Sequence, residues 1–316
     1  MLTIRPIAAH ELDGFARFSR DDELNAALKG EVSTLWEQGS SRPEWCFVAE
    51  EDGQILGRIC YWGLPTFGIP SVIEFLLLPW DADYRAVGPA LLQHTLAQFH
   101  SQGVRTMAYL LPIPSRFHDY PAQRAGLLEA VGFSLTREGD RWESLGEPVP
   151  VPFDRLWFRS VVDVGEPAFI EAIRLVTEGT LDRSLQNQRT VLGPERAARE
   201  TLRTAQALSY EPSWWHLAYT PGGTLVGLVM AACNDGGPIL YLVGVVPVER
   251  GQGYGYDLVA HGTCVLRAAG FTRIVADSDT SNIPVVRALE KAGYQRFLTR
   301  FVYTIDLTAR AALHRK

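Results

Sequence analysis

The chain has 316 residues, enough at roughly 150 per domain for two domains that each bury a core. With 47% hydrophobic and 21% charged residues the composition excludes a disordered chain. A formal net charge of -6, from 36 acidic and 30 basic side chains, argues against sequence-independent nucleic-acid binding. Cys46, Cys60, Cys233 and Cys264 are widely separated, which fits free thiols in a reducing compartment rather than a metal ribbon or redox motif. No run approaches the roughly 18 apolar residues of a membrane span, and the opening residues, with Glu11 and Asp13, lack the apolar stretch of a signal peptide. The expectation is a cytoplasmic protein with no membrane, nucleic-acid or metal partner, as a monomer or homodimer.

In chain order the elements come twice. A short strand at 3–7 is followed by helical material and a strand pair, 45–50 and 55–62, around the hairpin signal Asp52-Gly53. A third strand (72–78), a helix (88–104), a strand (104–110) and the segment 126–133 complete the first copy. Pro148, Pro150 and Pro152 alternate, force extended backbone and mark a linker. The second copy starts with a strand at 155–162. The pair 215–219 and 225–232 flanks Pro221-Gly222-Gly223, and a third strand spans 239–246. The helix 255–271 aligns with 88–104 without a gap, pairing Gly88 with Gly255, Leu91 with Leu258, His94 with His261 and Gly103 with Gly270. A strand at 272–277 and the segment 287–294 close it. The helix over 194–208 alternates charge and reads as solvated. His94 and His261 read as packing or hydrogen-bonding residues, and His216 as a core or cleft-lining one.

The most informative stretch runs from Val245 through Arg250, Gly251, Gln252, Gly253, Tyr254 and Gly255 to Tyr256. Glycines there let the backbone aim several N–H groups at one point, and the following helix adds its positive dipole end. Gly251 and Gly253 are followed by Tyr256 where a dinucleotide fingerprint needs its third glycine, and no Gly-Lys-Ser/Thr is present. The pattern that fits is Arg250-x-x-Gly253-x-Gly255 after a strand ending in Val-x-Pro; the plain alternative is a ligand-free turn.

At these residues the sequence resembles the GNAT superfamily of acyl-CoA-dependent N-acyltransferases, over nearly the whole chain as two tandem copies, with specific motifs only in the second. The resemblance implies an α/β fold of two GNAT domains, each a mixed, mostly antiparallel central sheet flanked by helices. It divides the chain into a degenerate domain, 1–148, and an active acyl-CoA-binding domain, 154–316. It implies that the Arg250–Tyr256 loop cradles the CoA pyrophosphate, that Val243, Gly244 and Val245 pair with pantetheine as an added strand, and that Asn282 opens a helix beside it. Asn282 serves equally as a plain N-cap. Aligned on Gly88, the first copy carries Asp83 for Arg250, Tyr84 for Gly251 and Ala86 for Gly253, a substitution pattern hostile to an anion.

The expected reaction is transfer of an acetyl group from acetyl-CoA to a primary amine of a small molecule. The alternatives are a non-catalytic acyl-CoA sensor and acetylation of a protein or peptide amine. Leu289 occupies the position of the family's usual acid tyrosine, so Tyr294, Tyr254 or Tyr256 would substitute, or the thiolate leaves unassisted. Asp277 and Asp279 follow a strand at the acetyl end and otherwise read as turn and cap residues. Glu178 and Asp182 lie in the loop that borders the acceptor in this family, or in a solvated loop. Asp182, Asp277 and Tyr294 are the catalytic candidates.

Overall fold

The two copies fold through the same succession of elements. The computed structural model describes residues 1–80, 83–146, 155–234 and 236–308, so the proline linker falls outside the described residues. In the first copy β1 (Thr3–Pro6) leads through α1 (Leu12–Ala16) and α2 (Asp22–Glu37) to β2 (Cys46–Glu51), β3 (Gln54–Trp62) and β4 (Val72–Leu77). Then come α3 (Tyr84–Ser101), β5 (Thr106–Ile113), α4 (Pro121–Val131) and β6 (Ser134–Ser144). The second copy opens with β7 (Trp157–Ser160), α5 (Val161–Val164), α6 (Glu166–Val176), α7 (Arg183–Leu192) and α8 (Pro194–Gln206). It continues through β8 (Trp215–Tyr219), β9 (Leu225–Asn234), β10 (Gly237–Val245) and α9 (Tyr254–Ala268) to β11 (Ile274–Asp279), α10 (Ile283–Lys291) and β12 (Gln295–Asp306).

Local chemistry sets the shared turns. Asp52 and Gly53 both take left-handed φ, 51° and 77°, as a type I′ hairpin requires. Gly103 and Gly270 end α3 and α9 at φ 95° and 93°, and Gly132 and Gly293 end α4 and α10 at 101° and 82°. After each, the next amide reaches back to the helix: Val104 to Phe99, Phe271 to Leu266, Phe133 to Leu128 and Tyr294 to Leu289. The helix ends of the two copies therefore obey one C-capping rule, that of glycine in the left-handed region.

The compact units do not divide at the linker. Unit 1 is Met1–Arg137 with Arg300 onward, and unit 2 is Glu138–Thr299. The expected division at 148 and 154 thus shifts, because each copy gives its last strand to the other unit. β6 enters unit 2 at Glu138 and pairs antiparallel with β11, from Ile274↔Ser144 to Asp279↔Gly139, burying Trp142 in that core. β12 enters unit 1 at Arg300, lies next to β5, and buries Tyr303 and Ile305 there, with Leu307 just past its end in the same core.

In unit 1, β1 to β4 form an antiparallel meander and β5 runs parallel to β4. Alternate residues of β2 separate the two faces: Phe47 and Ala49 pack with α3 and α4, Cys46 and Val48 with α1 and α2. Unit 2 repeats this, with β7 to β10 antiparallel and β11 parallel to β10. There α9 and α10 cover Val229, Ala231 and Leu240, while α6 and α8 cover Leu228, Met230 and Leu242. The helix expected as solvated is α8, and it is amphipathic instead. Ala198, Leu202 and Ala205 bury against α6, a stripe that small side chains hide beneath the charge pattern.

Candidate active site

Unit 2 places a strand split and a glycine turn in succession. β10 and β11 pair at only two positions, Ile239↔Val275 and Leu240↔Ala276. Beyond them β10 stays hydrogen-bonded to β9, from Leu242↔Met230 to Val245↔Gly227, whereas β11 pairs with β6. Val243, Gly244 and Val245 therefore present the strand edge that has lost its parallel partner. Tyr241 is a bulge residue at the split, since Leu240 and Leu242 oppose the adjacent residues Ala231 and Met230. Gly244 is tight on its other side: a Cβ there would meet Val176 of α6 at 2.7 Å.

After β10 a short 3-10 turn, Pro247–Glu249, leads to the glycines. Gly251 and Gly253 take φ of 84° and 81°, and a Cβ on either would meet nothing within 4 Å. Among the described residues, the amides of Gly251, Gln252 and Gly253 donate to no group of the chain. α9 begins at Tyr254, and in its first turn the Tyr256 amide donates to the Gly253 carbonyl (3.2 Å). Unpartnered N–H groups in a left-handed turn at the positive end of a fifteen-residue helix are an arrangement that suits an anion.

The side chains around the turn brace it. Arg250 donates Nε to the Val245 carbonyl (3.1 Å), Nη1 to that of Gly179 (3.2 Å) and Nη2 to those of Val176 (3.0 Å) and Glu178 (2.7 Å). Its charge lies on the carbonyl end of α6, so its side chain holds the loop and leaves the turn's own amides as the groups open to an anion. Arg155 braces the other flank. It donates to the Gln252 carbonyl (2.9 Å), pairs with the buried Asp257 carboxylate (3.2 Å) and covers the Tyr254 ring at 4.7 Å. Sequence reasoning missed Arg155, because a lone arginine after a proline-rich stretch carries no pattern. Lys291 covers the Tyr256 ring at 4.1 Å. Asn282 sits at the N-terminus of α10 with no side-chain cap bond, its amide donating to the Asp279 carbonyl (2.9 Å).

The catalytic candidates are only partly brought together. Asp182 caps α7, accepting from the Leu185 amide (2.9 Å). The next residue, Arg183, donates its amide to Oδ2 of the buried Asp279 (2.6 Å), joining the start of α7 to the end of β11. Asp182 and Asp279 thus share one corner, where the loop after α6 meets the outer end of the split. Asp277 is tied to its cross-strand neighbour Arg141 (2.9 Å). Tyr294 is 3% exposed, its hydroxyl within 2.8 Å of the Thr263 hydroxyl, and burial pushes its pKa up. A phenol sealed between α9 and α10 does not reach a leaving group, which removes the geometric basis for Tyr294 as the acid.

The matched histidines diverge. His94 is exposed on α3, while His261 stacks on Phe158 with centroids 3.5 Å apart and meets His216 edge-on at 4.7 Å. Desolvation lowers both of the latter, His261 to about 3. Both are half-buried in unit 2, His216 on β8 and His261 on α9, against Phe158 of β7.

The Acetyltransferase (GNAT) family model matches residues 181–294, which contain the split, the glycine turn and α10. A mycothiol acetyltransferase of Thermobispora bispora is 30% identical over 268 residues, covering 75% of this chain and 85% of that protein. One of Streptosporangium roseum is 38% identical over 76 residues, 22% of this chain and 23% of its own. The crystal structure of a GCN5-related N-acetyltransferase from Sphaerobacter thermophilus matches in fold with a TM-score of 0.64, at 17% identity over 97% of this chain and 96% of that one. No helix of the described residues is long and apolar enough to cross a membrane, and they hold no cluster of metal-ligating side chains. The chain belongs to the GNAT acetyltransferase family, as an acyltransferase in which the family's element order is written twice.

Proposed function

We propose that unit 2 transfers the acetyl group of acetyl-CoA to the primary amine of a small molecule, and that unit 1 binds no CoA. The observation that carries the reading is the row of unpartnered amides at Gly251, Gln252 and Gly253, beside a strand edge freed by the split after Leu240. Family membership implies acetyl-CoA as co-substrate. Its pyrophosphate fits a turn in which two left-handed glycines leave open space where side chains would stand. The N–H groups of Val243–Val245 suit the amides of the pantetheine arm and the thioester carbonyl. Asn282, at the mouth of α10, suits the same arm.

At the acceptor end Asp182 meets the ammonium of the amine, and the nucleophile loses its proton to water in the corner Asp182 shares with Asp279. A thiol of ordinary pKa, about 8.5, leaves as thiolate without an acid. That suits a site in which Leu289 replaces the usual tyrosine and Tyr294 is sealed away.

Thiol release from acetyl-CoA across a panel of amines tests the reading. Simple amines, amino sugars, a peptide amine and, because the curated relatives carry that name, a mycothiol-type acceptor form the panel. Turnover with a small amine supports it, and preference for the peptide moves the acceptor to protein. An Asp182→Asn variant is expected to lose at least tenfold in kcat/KM while CoA affinity stays constant; unchanged turnover removes Asp182. A protein that binds CoA and acetylates nothing is a sensor.

A further inference from the structure

We propose that Arg155 is a positioning residue for CoA: from outside the glycine turn it fixes the peptide plane whose orientation decides whether an anion meets an N–H or a carbonyl oxygen. The inference rests on the reading of that turn as the CoA site and names a residue that sets it.

The carbonyls around the turn are held in two ways. Those of Val246, Pro247 and Gly253 accept the backbone amides of Glu249 (3.0 Å), Arg250 (3.3 Å) and Tyr256 (3.2 Å), so bonds within the loop fix them. The Gln252 carbonyl is held by a side chain, through Nη2 of Arg155 at 2.9 Å. In a trans peptide the carbonyl of one residue and the N–H of the next point in opposite directions. A hand on the Gln252 oxygen therefore aims the Gly253 amide away from Arg155.

Gly253 is what makes the hold necessary. Its φ is 81°, and a glycine takes the opposite sign of φ about as readily. Rotating the Gln252–Gly253 peptide plane exchanges the two states, and the flipped one presents a partial negative charge where the N–H had stood. Arg155 selects between them, because only one orientation brings the oxygen to its guanidinium.

The guanidinium is itself fixed. Arg155 lies just before β7, its Nη1 pairs with Oδ2 of Asp257 at 3.2 Å, and its guanidinium carbon lies 4.7 Å from the centre of the Tyr254 ring. The Asp257 side chain is 3% exposed but that of Arg155 is 45% exposed, so the pair adds little stability through charge alone. Its planar fork adds geometry, with one arm on the carboxylate and the other on the carbonyl. The positive charge also offsets a carboxylate that stands in the first turn of α9, next to the amides of the turn.

Calorimetry of the full chain with CoA and with pantetheine, which has the same arm but no diphosphate, tests the assignment. Arg155→Ala is expected to weaken CoA about tenfold and to leave pantetheine within about twofold. Because that variant takes a partner from the buried Asp257, Arg155→Ala is also combined with Asp257→Asn, which removes the charge and leaves the Gln252 carbonyl untied. The double variant should keep the wild-type thermal midpoint and still bind CoA several-fold more weakly than wild type. A double variant that binds CoA as tightly as wild type overturns the proposal, and so does an equal loss of CoA and pantetheine, which marks general damage to the fold. A wild type that binds no CoA removes the CoA reading and this inference together. Equal CoA affinity in wild type and Arg155→Ala removes this inference alone.

Discussion

Between β10 and α9 the chain of unit 2 carries Gly251 and Gly253 at left-handed φ, outside the helix. At the positions matched through Gly88 and Gly255, unit 1 has Tyr84 and Ala86, already inside α3. One helix starts three residues earlier than its counterpart, and that difference converts three outward amides into ordinary first-turn groups. Asp83 adds a carboxylate at the place where Arg250 ties Val176, Glu178 and Gly179 to the loop. At the split itself unit 1 has Glu74, the first residue past the pairing of β4 with β5, and unit 2 has Tyr241, which reaches the Thr201 carbonyl of α8 at 3.5 Å. A duplicated fold carries an open glycine turn in one copy and a carboxylate at the split in the other.

The largest expected effect comes from closing the turn. Gly253→Val forces a β-branched residue to φ 81°, and CoA affinity should fall at least a hundredfold, to nothing measurable beside a wild type that binds one CoA per chain. Two CoA per wild-type chain, or one retained by the variant, would place a working loop in unit 1. Arg250→Ala removes four hydrogen bonds to carbonyls while leaving the amides in place. Roughly tenfold weaker CoA binding is expected by calorimetry; a loss as deep as that of Gly253→Val would give the guanidinium a direct contact with phosphate.

Acid reads out the half-buried histidine of α9. His261 is held at about 3 against an ordinary value near 6.5. The unfolded chain therefore binds the extra proton between those values, and stability falls as pH drops through that window. At pH 5 the cost is about 2 kcal/mol. His261→Leu should lessen the fall in thermal midpoint between pH 7.5 and 5. His118, held at about 3 by burial and Arg124, sustains the same acid sensitivity in unit 1. The smallest effect belongs to Tyr294→Phe. It should cost about 1 kcal/mol of stability for one buried hydrogen bond and leave turnover within about threefold; a collapse of kcat would return the phenol to the chemistry.

Much of this was readable before any coordinates, for local reasons. Left-handed turns demand glycine, so Gly53, Gly251 and Gly253 announced a hairpin and the loop, while Gly103 and Gly270, read only as matched helix positions, turn out to be the helix ends. What escaped were facts about neighbours. Nothing in the residues of β6 says that Trp142 packs in the core of the other copy, since alternation reports which face is buried and not against what. Asp182 and Tyr294 are correct in type for proton transfer, but burial and a helix cap give each a structural task that composition cannot display.

The exchange of β6 and β12 has a consequence for how this chain can be taken apart. A gene cut between residues 146 and 155 encodes two polypeptides that each lack a strand of the unit they were meant to build. Each would expose the open edge of a sheet until the other arrived, so the fragments should be recovered only when co-expressed. Deleting the first copy as dispensable would strip β11 of its antiparallel neighbour. A half without the glycine turn thereby supplies a strand that the half with it cannot do without.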